Sequence, residues 1–376
     1  MQLPLDLKGR GACAEEVSRE GQNVALLDLD YSQLQGLFLT SGEPGYRADQ
    51  LYKWLYVSLA TDFTQMYNLP QGTREWLEQI ADICTSIALQ EIGSRDELTR
   101  KVLFALSDGE TIESVLMLYD RRNTVCLSTQ VGCALGCPFC ATGQSGFTRN
   151  LTAGEIIEQA LHFARALKAE GQRITNIVFM GMGEPFMNYE ATWHAIETLT
   201  DLRGCNLGAR RITISTVGIV PGIERLSQER LQVGLAVSLH APDDGLRDTL
   251  VPINRRYPLK ELIAVCRDYV KRTGRRVTFE YALAQGVNDS RQQAVELASL
   301  LDGLLCHVNL IPLNPTPTSP WQTSSKQRVQ IFHQELSSLG INNTVRMRRG
   351  IEIEAGCGQL RSRWGGQREV RNCVSS

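Results

Sequence analysis

The chain has 376 residues, a net charge of −2 and an isoelectric point near 6.3. Its length predicts about two domains, and its nearly balanced charge gives no sign of nucleic-acid binding. No apolar run approaches the roughly 18 residues that a membrane-spanning helix requires, and the N-terminus lacks the pattern of a signal peptide. The eleven cysteines are an odd number, which favours a reducing compartment over a secreted, disulfide-bonded protein. The sequence therefore predicts a cytoplasmic protein without a membrane segment.

The first 95 residues are acidic, with a net charge of −6. Apolar residues recur there at helical spacing, and segments rich in glycine and proline separate the runs. The three predicted helices are Tyr31–Leu39, Arg47–Leu59 and Thr73–Leu89. We expect residues 1–95 to form a small helical domain.

Residues 96–120 predict a β-hairpin linker. Apolar and polar residues alternate in Leu98–Leu106 and Thr111–Tyr119, and Asp108-Gly109 between them is a common hairpin turn.

From residue 121 the pattern changes to six strand-length apolar runs that alternate with six helical segments. Such alternation predicts parallel strands with crossover helices, that is, an α/β fold with a partial (β/α)6 barrel over residues 121–345. The predicted strands are Asn123–Thr129, Ile174–Met180, Arg211–Thr216, Gln232–Leu239, Arg276–Leu283 and Cys306–Ile311. The predicted helices are Leu151–Ala169, Tyr189–Leu202, Pro221–Gln228, Leu259–Arg272, Asp289–Leu301 and Lys326–Leu339.

Three cysteines lie within eight residues, as Cys133-Ala-Leu-Gly-Cys137-Pro-Phe-Cys140. A structural zinc site takes four ligands, whereas three thiolates leave one iron of a cubane cluster open. The C-x3-C-x2-C spacing is typical of radical S-adenosylmethionine (SAM) enzymes. The alternatives are half of a zinc site or buried thiols, but no second cysteine pair or suitable histidine pair completes a zinc ligand set.

Several other polar or glycine-rich segments follow predicted strands, where the chemistry of a parallel β/α fold collects. Gly181 and Gly183 allow a ligand close to the backbone, and Glu184 can accept from an amino group; a plain turn is the alternative. His240 is either a core histidine or a cofactor contact. Ser215, Ser238 and Asn314 end or follow three further strands.

Two cysteines outside the cluster motif differ in their surroundings. Cys126 lies in a predicted strand, where the simplest interpretation is a small hydrophobic side chain buried in the core. Cys357 lies between two glycines in a loop of small residues, which predicts an accessible thiol. It belongs to a C-terminal segment, residues 346–376, and residues 341–376 carry a net charge of +4. That charge permits contact with RNA, and we interpret Arg346, Arg348 and Arg349 as candidates for phosphate contacts.

With these residues in hand, the chain resembles the RlmN/Cfr family of radical-SAM RNA adenine methyltransferases, and the RlmN branch in particular. The resemblance covers about residues 25–362 and includes the N-terminal segment Tyr46–Trp54, and it implies that residues 1–95 form an accessory domain that binds RNA. The other matching segments are Cys126–Cys133, Gly146–Leu151, Met180–Pro185, Ser238–Pro242, Val251–Asn254, Asn309–Pro315 and Ala355–Gln359.

The resemblance implies a radical SAM barrel in which Cys133, Cys137 and Cys140 hold one 4Fe-4S cluster. It implies that SAM contacts Gly183, Glu184, Ser215, Ser238, Leu239, His240 and Asn314. In this mechanism Cys357 takes a methyl group from one SAM, and a radical made from a second SAM removes a hydrogen from that methyl. The carbon radical then adds to adenine, Glu113 accepts the ring proton, and Cys126 releases the product by forming a disulfide with Cys357.

The implied substrates are an adenine in the peptidyl-transferase region of 23S rRNA and the adenine just 3′ of the tRNA anticodon, methylated at C2. The implied electron donor is a flavodoxin or a ferredoxin, and we expect a monomer. A Cfr-type enzyme that methylates C8 is the nearest alternative. A radical SAM enzyme acting on a small molecule would need neither Cys126 nor Cys357, and a non-catalytic iron–sulfur RNA-binding protein would not consume SAM.

Overall fold

A computed structural model describes residues 23–314, 316, 319–346 and 348–361. The chain forms two compact units, Met1–Cys84 and Thr85–Ser376. The domain limits at residues 95, 120 and 345 stay predictions, while the division between the compact units falls after Cys84. Cys13, Cys373 and most of the basic C-terminal segment lie outside the described residues.

The first unit is mainly helical, as the sequence predicts. Asp30 caps its first helix by accepting from the backbone N–H of Gln33, whose side chain accepts from the Asp30 N–H in return. The third helix ends at Ile80, so the prediction of a helix through Leu89 is wrong there. The helices are α1 (Tyr31–Thr40), α2 (Arg47–Lys53) and α3 (Gln71–Ile80), and the parallel strand pair is β1 (Val24–Ala25) and β2 (Ala81–Asp82).

The second unit is built on one ten-stranded sheet. Its strands are β3 (Ser86–Gly93), β4 (Thr99–Leu106), β5 (Thr111–Tyr119), β6 (Arg122–Cys126), β9 (Asn176–Phe179), β10 (Ile212–Thr216), β11 (Gly234–Ser238), β12 (Val277–Leu283), β13 (Cys306–Pro312) and β14 (Asn343–Val345). A separate antiparallel pair, β7 (Gln130–Gly132) and β8 (Phe147–Asn150), flanks the cysteine-rich loop. The order across the sheet is β14-β13-β12-β11-β10-β9-β6-β5-β4-β3.

The seven strands from β6 to β14 in this sheet pair in parallel, and they include the six that the sequence predicts. The α/β prediction is therefore confirmed. The hairpin of β4 and β5 is also confirmed, with Gly109 at a φ of 85° in its turn, and it continues the main sheet because β5 pairs with β6. This register places Val115 opposite Cys126.

Crossover helices separate the parallel strands, as expected for this topology. Thr152 and Glu155 form the capping box at the start of the longest of them. The helices of this unit are α4 (Ala141–Gln144), α5 (Ala153–Ala169), α6 (Tyr189–Thr200), α7 (Val220–Leu226), α8 (Asp244–Leu250), α9 (Leu259–Thr273), α10 (Arg291–Leu301) and α11 (Lys326–Ser338). None of the helices that the structure describes is long and apolar enough to cross a membrane.

The backbone entering the cysteine-rich loop makes a close approach that only glycine permits. Gly132 has a φ of 74°, and a Cβ on it would lie 1.9 Å from the carbonyl oxygen of Gly146. The following residue, Cys133, donates its N–H to that same oxygen at 2.7 Å. A side chain at position 132 would therefore push β7 away from β8 and displace the first cysteine.

We expect Gly132→Ala to lower the melting temperature by several degrees, because a strained positive φ alone costs about 1–3 kcal/mol and the clash adds to it. Gly93→Ala is the matched control, since a Cβ there has nothing within 4 Å. Thermal unfolding followed by circular dichroism measures both variants. Equal melting temperatures for the two would contradict this account of Gly132.

Candidate active site

The carboxyl ends of the parallel strands surround one cavity, where the sequence places most of its candidate residues. Three predicted residues do not line it: Glu113, Cys126 and Leu239. Leu239 is fully buried, and its N–H donates to the Glu280 carbonyl. The predicted residues that line the cavity are Cys133, Cys137, Cys140, Gly183, Glu184, Ser215, Ser238, His240, Asn314 and Cys357.

The three clustered cysteines occupy a loop between β7 and α4 and face the same cavity. Burial raises the pKa of the Cys133 thiol to about 12 and raises the pKa of Cys137 and Cys140 as well. The thiols also raise one another's pKa, since adjacent negative charges repel. They are therefore protonated without a metal, and binding of iron would release protons.

The donor set fits an iron–sulfur cluster better than a single ion. Among the described residues, no group of three or more His, Cys, Asp or Glu side chains could hold one metal ion, yet three thiols line one cavity. A cluster spreads its ligands over several irons, and three thiolates leave one iron open. The Asn314 side-chain oxygen is buried in the same wall without a hydrogen-bond partner, which leaves an acceptor for a bound ligand.

Glu184 is a buried carboxylate that faces the cavity beside two glycines. A Cβ on Gly181 would lie 2.6 Å from the Leu127 carbonyl oxygen, so only glycine lets the backbone at position 181 pass this close to Leu127. The Glu184 oxygens accept from the backbone N–H groups of Phe186 at 3.1 Å and Val217 at 2.9 Å. Burial nevertheless raises the pKa of Glu184 to about 7. A donor from a bound ligand would favour its ionised form.

His240 is a buried, hydrogen-bonded histidine that also lines the cavity, and its contact with a cofactor stays a prediction. Its Nδ1 accepts from the Ala282 N–H at 3.0 Å, which assigns the proton of the neutral ring to Nε2. Burial lowers the pKa of His240 to about 3, so the ring is neutral. Phe139 meets it edge to face at 5.0 Å between centroids. The backbone of His240 has a φ of 62°, an uncommon conformation outside glycine.

Cys357 lies where this cavity adjoins a second one. It lines both, and the second cavity is also lined by Cys126, Tyr119 and Met117. The Cys357 side of the wall is held by backbone contacts, because the Ala141 N–H donates to the Gly358 carbonyl at 2.8 Å. Asn314 also donates to the Cys357 carbonyl at 3.3 Å. The loop therefore rests on α4, the helix that begins directly after Cys140.

Cys126 and Cys357 are both free thiols in the structure. Cys126 is buried, and burial together with Cys357 raises its pKa to about 12, while Arg346 opposes that rise. Arg346 lines both cavities and lies 4.0 Å from Glu280, and its contact with phosphate stays a prediction. Arg348 is exposed, and Arg349 lies over the Tyr119 ring at 4.4 Å from its centroid.

Glu113 is buried on β5, on the face of the strand that carries Val115 and Met117 to the second cavity. It pairs with Lys101 of β4 at 2.8 Å and accepts from the Arg361 N–H at 2.8 Å. Sequence reasoning missed Lys101. The signal for it was its position inside the predicted strand Leu98–Leu106, directly before the apolar run Val102–Leu106. A lysine in a buried strand is rarely found without a partner of opposite charge.

Comparisons with known proteins identify first the class and then the family. Residues 127–298 match the model of the radical SAM superfamily, and residues 24–83 match that of the ribosomal RNA large subunit methyltransferase N-terminal domain. As a radical SAM enzyme, the protein uses SAM and an iron–sulfur cluster.

Similar proteins cover nearly the whole chain. The probable dual-specificity RNA methyltransferase RlmN of Chloroflexus aurantiacus is 52% identical over 349 residues, which are 90% of this chain and 93% of the relative. The ribosomal RNA large subunit methyltransferase N of Nitrosopumilus maritimus is 48% identical, over 88% of this chain and 96% of the relative. The crystal structure of a radical SAM methyltransferase from Sphaerobacter thermophilus has a TM-score of 0.88 and 55% identity, over 90% of this chain and 99% of its own. The chain belongs to the RlmN family of radical SAM RNA methyltransferases.

Replacing Glu184 by glutamine should weaken SAM binding about tenfold or more, because a hydrogen bond to a charged group contributes about 1.5–3 kcal/mol. Since burial raises the pKa of Glu184 to about 7, wild-type affinity should rise several-fold between about pH 6 and about pH 7.5. Equilibrium dialysis of the reconstituted protein against SAM measures both effects. Glu190→Gln, at an exposed site on α6, is the control. A glutamine variant with unchanged affinity and pH dependence would contradict the role of Glu184.

Proposed function

We propose that the enzyme methylates C2 of an adenine in the peptidyl-transferase region of 23S rRNA and C2 of the adenine 3′ of the anticodon in tRNAs. The observation that carries the proposal is the position of Cys357 in the walls of both cavities, between the clustered cysteines and Cys126. The relatives' names support RNA of more than one kind as substrate. The RlmN names also favour this branch over the C8-methylating alternative.

The chemistry explains why a protein thiol has to carry the methyl group. A ring carbon such as C2 of adenine is electrophilic and does not attack the methyl of SAM. A thiolate does, and Cys357 is exposed between two glycines where a cofactor can reach it. The transferred group is thus an S-methyl on Cys357, one SAM being used for that step and a second for the radical, two in each turnover.

The cofactor site of the proposal uses the residues of the first cavity. Cys133, Cys137 and Cys140 would hold one 4Fe-4S cluster, which, when bound and reduced, supplies a 5′-deoxyadenosyl radical from SAM. Glu184 and Asn314 offer acceptors to the amino group of SAM. Gly183, Ser215, Ser238 and His240 also line this first cavity and would contact SAM. A flavodoxin or ferredoxin as electron donor, a monomeric state and a cytoplasmic location belong to the same proposal.

Cys126 in the wall of the second cavity and Glu113, on the face of β5 that carries Val115 and Met117 to it, would finish the reaction. The radical on the Cys357 methylene carbon would add to C2, and the ring then has to lose one proton and one electron. The electron would go back to the cluster, which gave up one electron to cleave SAM. Glu113 accepts that proton, and its pairing with Lys101 keeps a buried carboxylate in the ionised form that can do so. Cys126 then attacks the Cys357 sulfur, so that a disulfide forms, the carbon–sulfur bond breaks and a proton completes the methyl group.

Nucleoside mass spectrometry tests the proposal. Unmodified 23S rRNA and tRNA are incubated without oxygen with reconstituted enzyme, reductant and SAM, and the digests are compared with C2- and C8-methyladenosine standards. We expect 2-methyladenosine in both RNAs. Formation of 8-methyladenosine alone would support the alternative reaction, and steady SAM cleavage without methyladenosine would contradict both.

Replacing Cys126 by alanine should stop turnover at the covalent protein–RNA adduct, because nothing remains to attack the Cys357 sulfur. A labelled RNA should then run with the protein on denaturing gels. Cys266→Ala, a buried cysteine on α9, is the matched control and should give free methylated RNA. Multiple turnover by Cys126→Ala without any adduct would contradict the assigned role.

Replacing Lys101 by methionine removes the cation from a buried ion pair and should slow the loss of the ring proton. We expect product formation to fall by at least about tenfold, because the loss of a neighbouring positive charge disfavours the ionised form of the Glu113 carboxylate, while SAM binding stays unchanged. Lys101→Arg keeps the charge and should recover part of the rate. Single-turnover rates measured with both variants test this, and equal losses in both would indicate a packing role instead.

A further inference from the structure

Arg247 is completely buried, at 0% exposure, and is the largest such side chain among the described residues of the second unit. It lies on α8, which follows β11 and the His240 turn. Burying an arginine is costly unless its donors are satisfied, so the partners of this guanidinium indicate what it does. The mechanism described above makes no use of it.

The guanidinium of Arg247 donates to the carboxyl ends of two neighbouring strands. Its Nη2 donates to the Val217 carbonyl at 2.6 Å and to the Ser238 carbonyl at 3.1 Å, and its Nε donates to the Leu239 carbonyl at 3.1 Å. Its Nη1 donates to the Asn254 side-chain oxygen at 2.7 Å. The carboxylates of Asp244 and Asp248 accept from Asn254 rather than from the arginine.

These carbonyls belong to the segments that form the cofactor cavity. Val217 follows β10, and its N–H is one of the two backbone donors to Glu184. Ser238 ends β11 and lines the cavity, as does Ser215 of β10. One rigid fork therefore fixes the two strand ends relative to each other and fixes the direction of the Val217 N–H toward Glu184.

The charge of Arg247 lies on the side of the cavity where Cys137 packs. Cys137 contacts a buried group that includes Ala241, Leu250 and Val251, together with Leu246 of the same helix. Burial lowers the pKa of Arg247 to about 10, so it remains a cation at neutral pH, and the Cys137 thiolate acts in the opposite direction. Three thiolates give a bound cluster net negative charge, and a nearby cation favours its reduction.

We infer that Arg247 is a positioning residue of the cofactor site with two effects. It holds the ends of β10 and β11 in the arrangement that binds SAM, and its buried positive charge makes the cluster easier to reduce. The inference rests on the cofactor assignment within the proposed function and is independent of the RNA that the enzyme modifies.

Two substitutions separate the effects. Arg247→Lys keeps the charge but loses the fork, and Arg247→Gln loses the charge while keeping an amide that can donate to a carbonyl. Arg225→Gln is the control, at a partly exposed arginine on α7 that pairs with Glu190. Each protein is reconstituted without oxygen, its iron content is measured, and SAM affinity and the cluster midpoint potential are determined by equilibrium dialysis and by redox titration followed by electron paramagnetic resonance.

We expect both Arg247 variants to bind SAM about tenfold more weakly. Only Arg247→Gln should hold about tenfold less reduced cluster at a given potential, a shift of about 59 mV for one electron. Wild-type affinity in Arg247→Lys would overturn the positioning effect, and an unshifted potential in Arg247→Gln would overturn the charge effect. If Arg247→Gln fails to assemble a cluster, a lysine variant with wild-type potential and weakened SAM binding still supports the inference. A wild-type protein that assembles no cluster would overturn the cofactor assignment itself and the inference with it.

Discussion

The docking of the Cys357 loop on the helix that follows Cys140 is the contact on which the rest of the site depends. The Ala141 N–H donates to the Gly358 carbonyl, and the Thr142 hydroxyl donates to the Leu360 carbonyl at 2.6 Å. Two segments more than 200 residues apart in sequence thereby share one wall. Through this wall a single thiol, that of Cys357, lines both the first cavity and the cavity of Cys126, so the proposed methyl carrier would not have to travel between distant sites.

Two buried carboxylates of the second unit, Glu184 and Glu113, differ in the groups that surround them. Glu184 accepts from two backbone N–H groups and has no cation in contact among the residues that the structure describes, and burial raises its pKa to about 7. A donor from a bound ligand would favour its ionised form. Glu113, also buried, has Lys101 at 2.8 Å, a neighbouring positive charge that fits its proposed role as proton acceptor.

The sequence predicts the regular parts of this structure well, because apolar periodicity is local. The six parallel strands, the β4–β5 hairpin and the Thr152 capping box all follow from short patterns. The helix expected to reach Leu89 ends at Ile80, because the backbone of Ala81 is extended and Ser86–Gly93 forms a strand that pairs with β4. Apolar spacing along the chain carries no information about that pairing. The roles of Lys101 and Arg247 were not predicted either, because they depend on contacts that local patterns do not show. Their partners, Glu113 and the Val217 and Ser238 carbonyls, are brought near them only by the sheet.

The central claim is that the new methyl group reaches the RNA through Cys357 and loses a hydrogen on the way. SAM with a fully deuterated methyl group tests it, with the RNA product and 5′-deoxyadenosine both analysed by mass spectrometry. The account predicts a methyladenosine that keeps two of the three deuterium atoms, one deuterium in 5′-deoxyadenosine, and no product from Cys357→Ala. A product methyl that retains all three deuterium atoms would contradict it, because such a group is transferred directly from SAM.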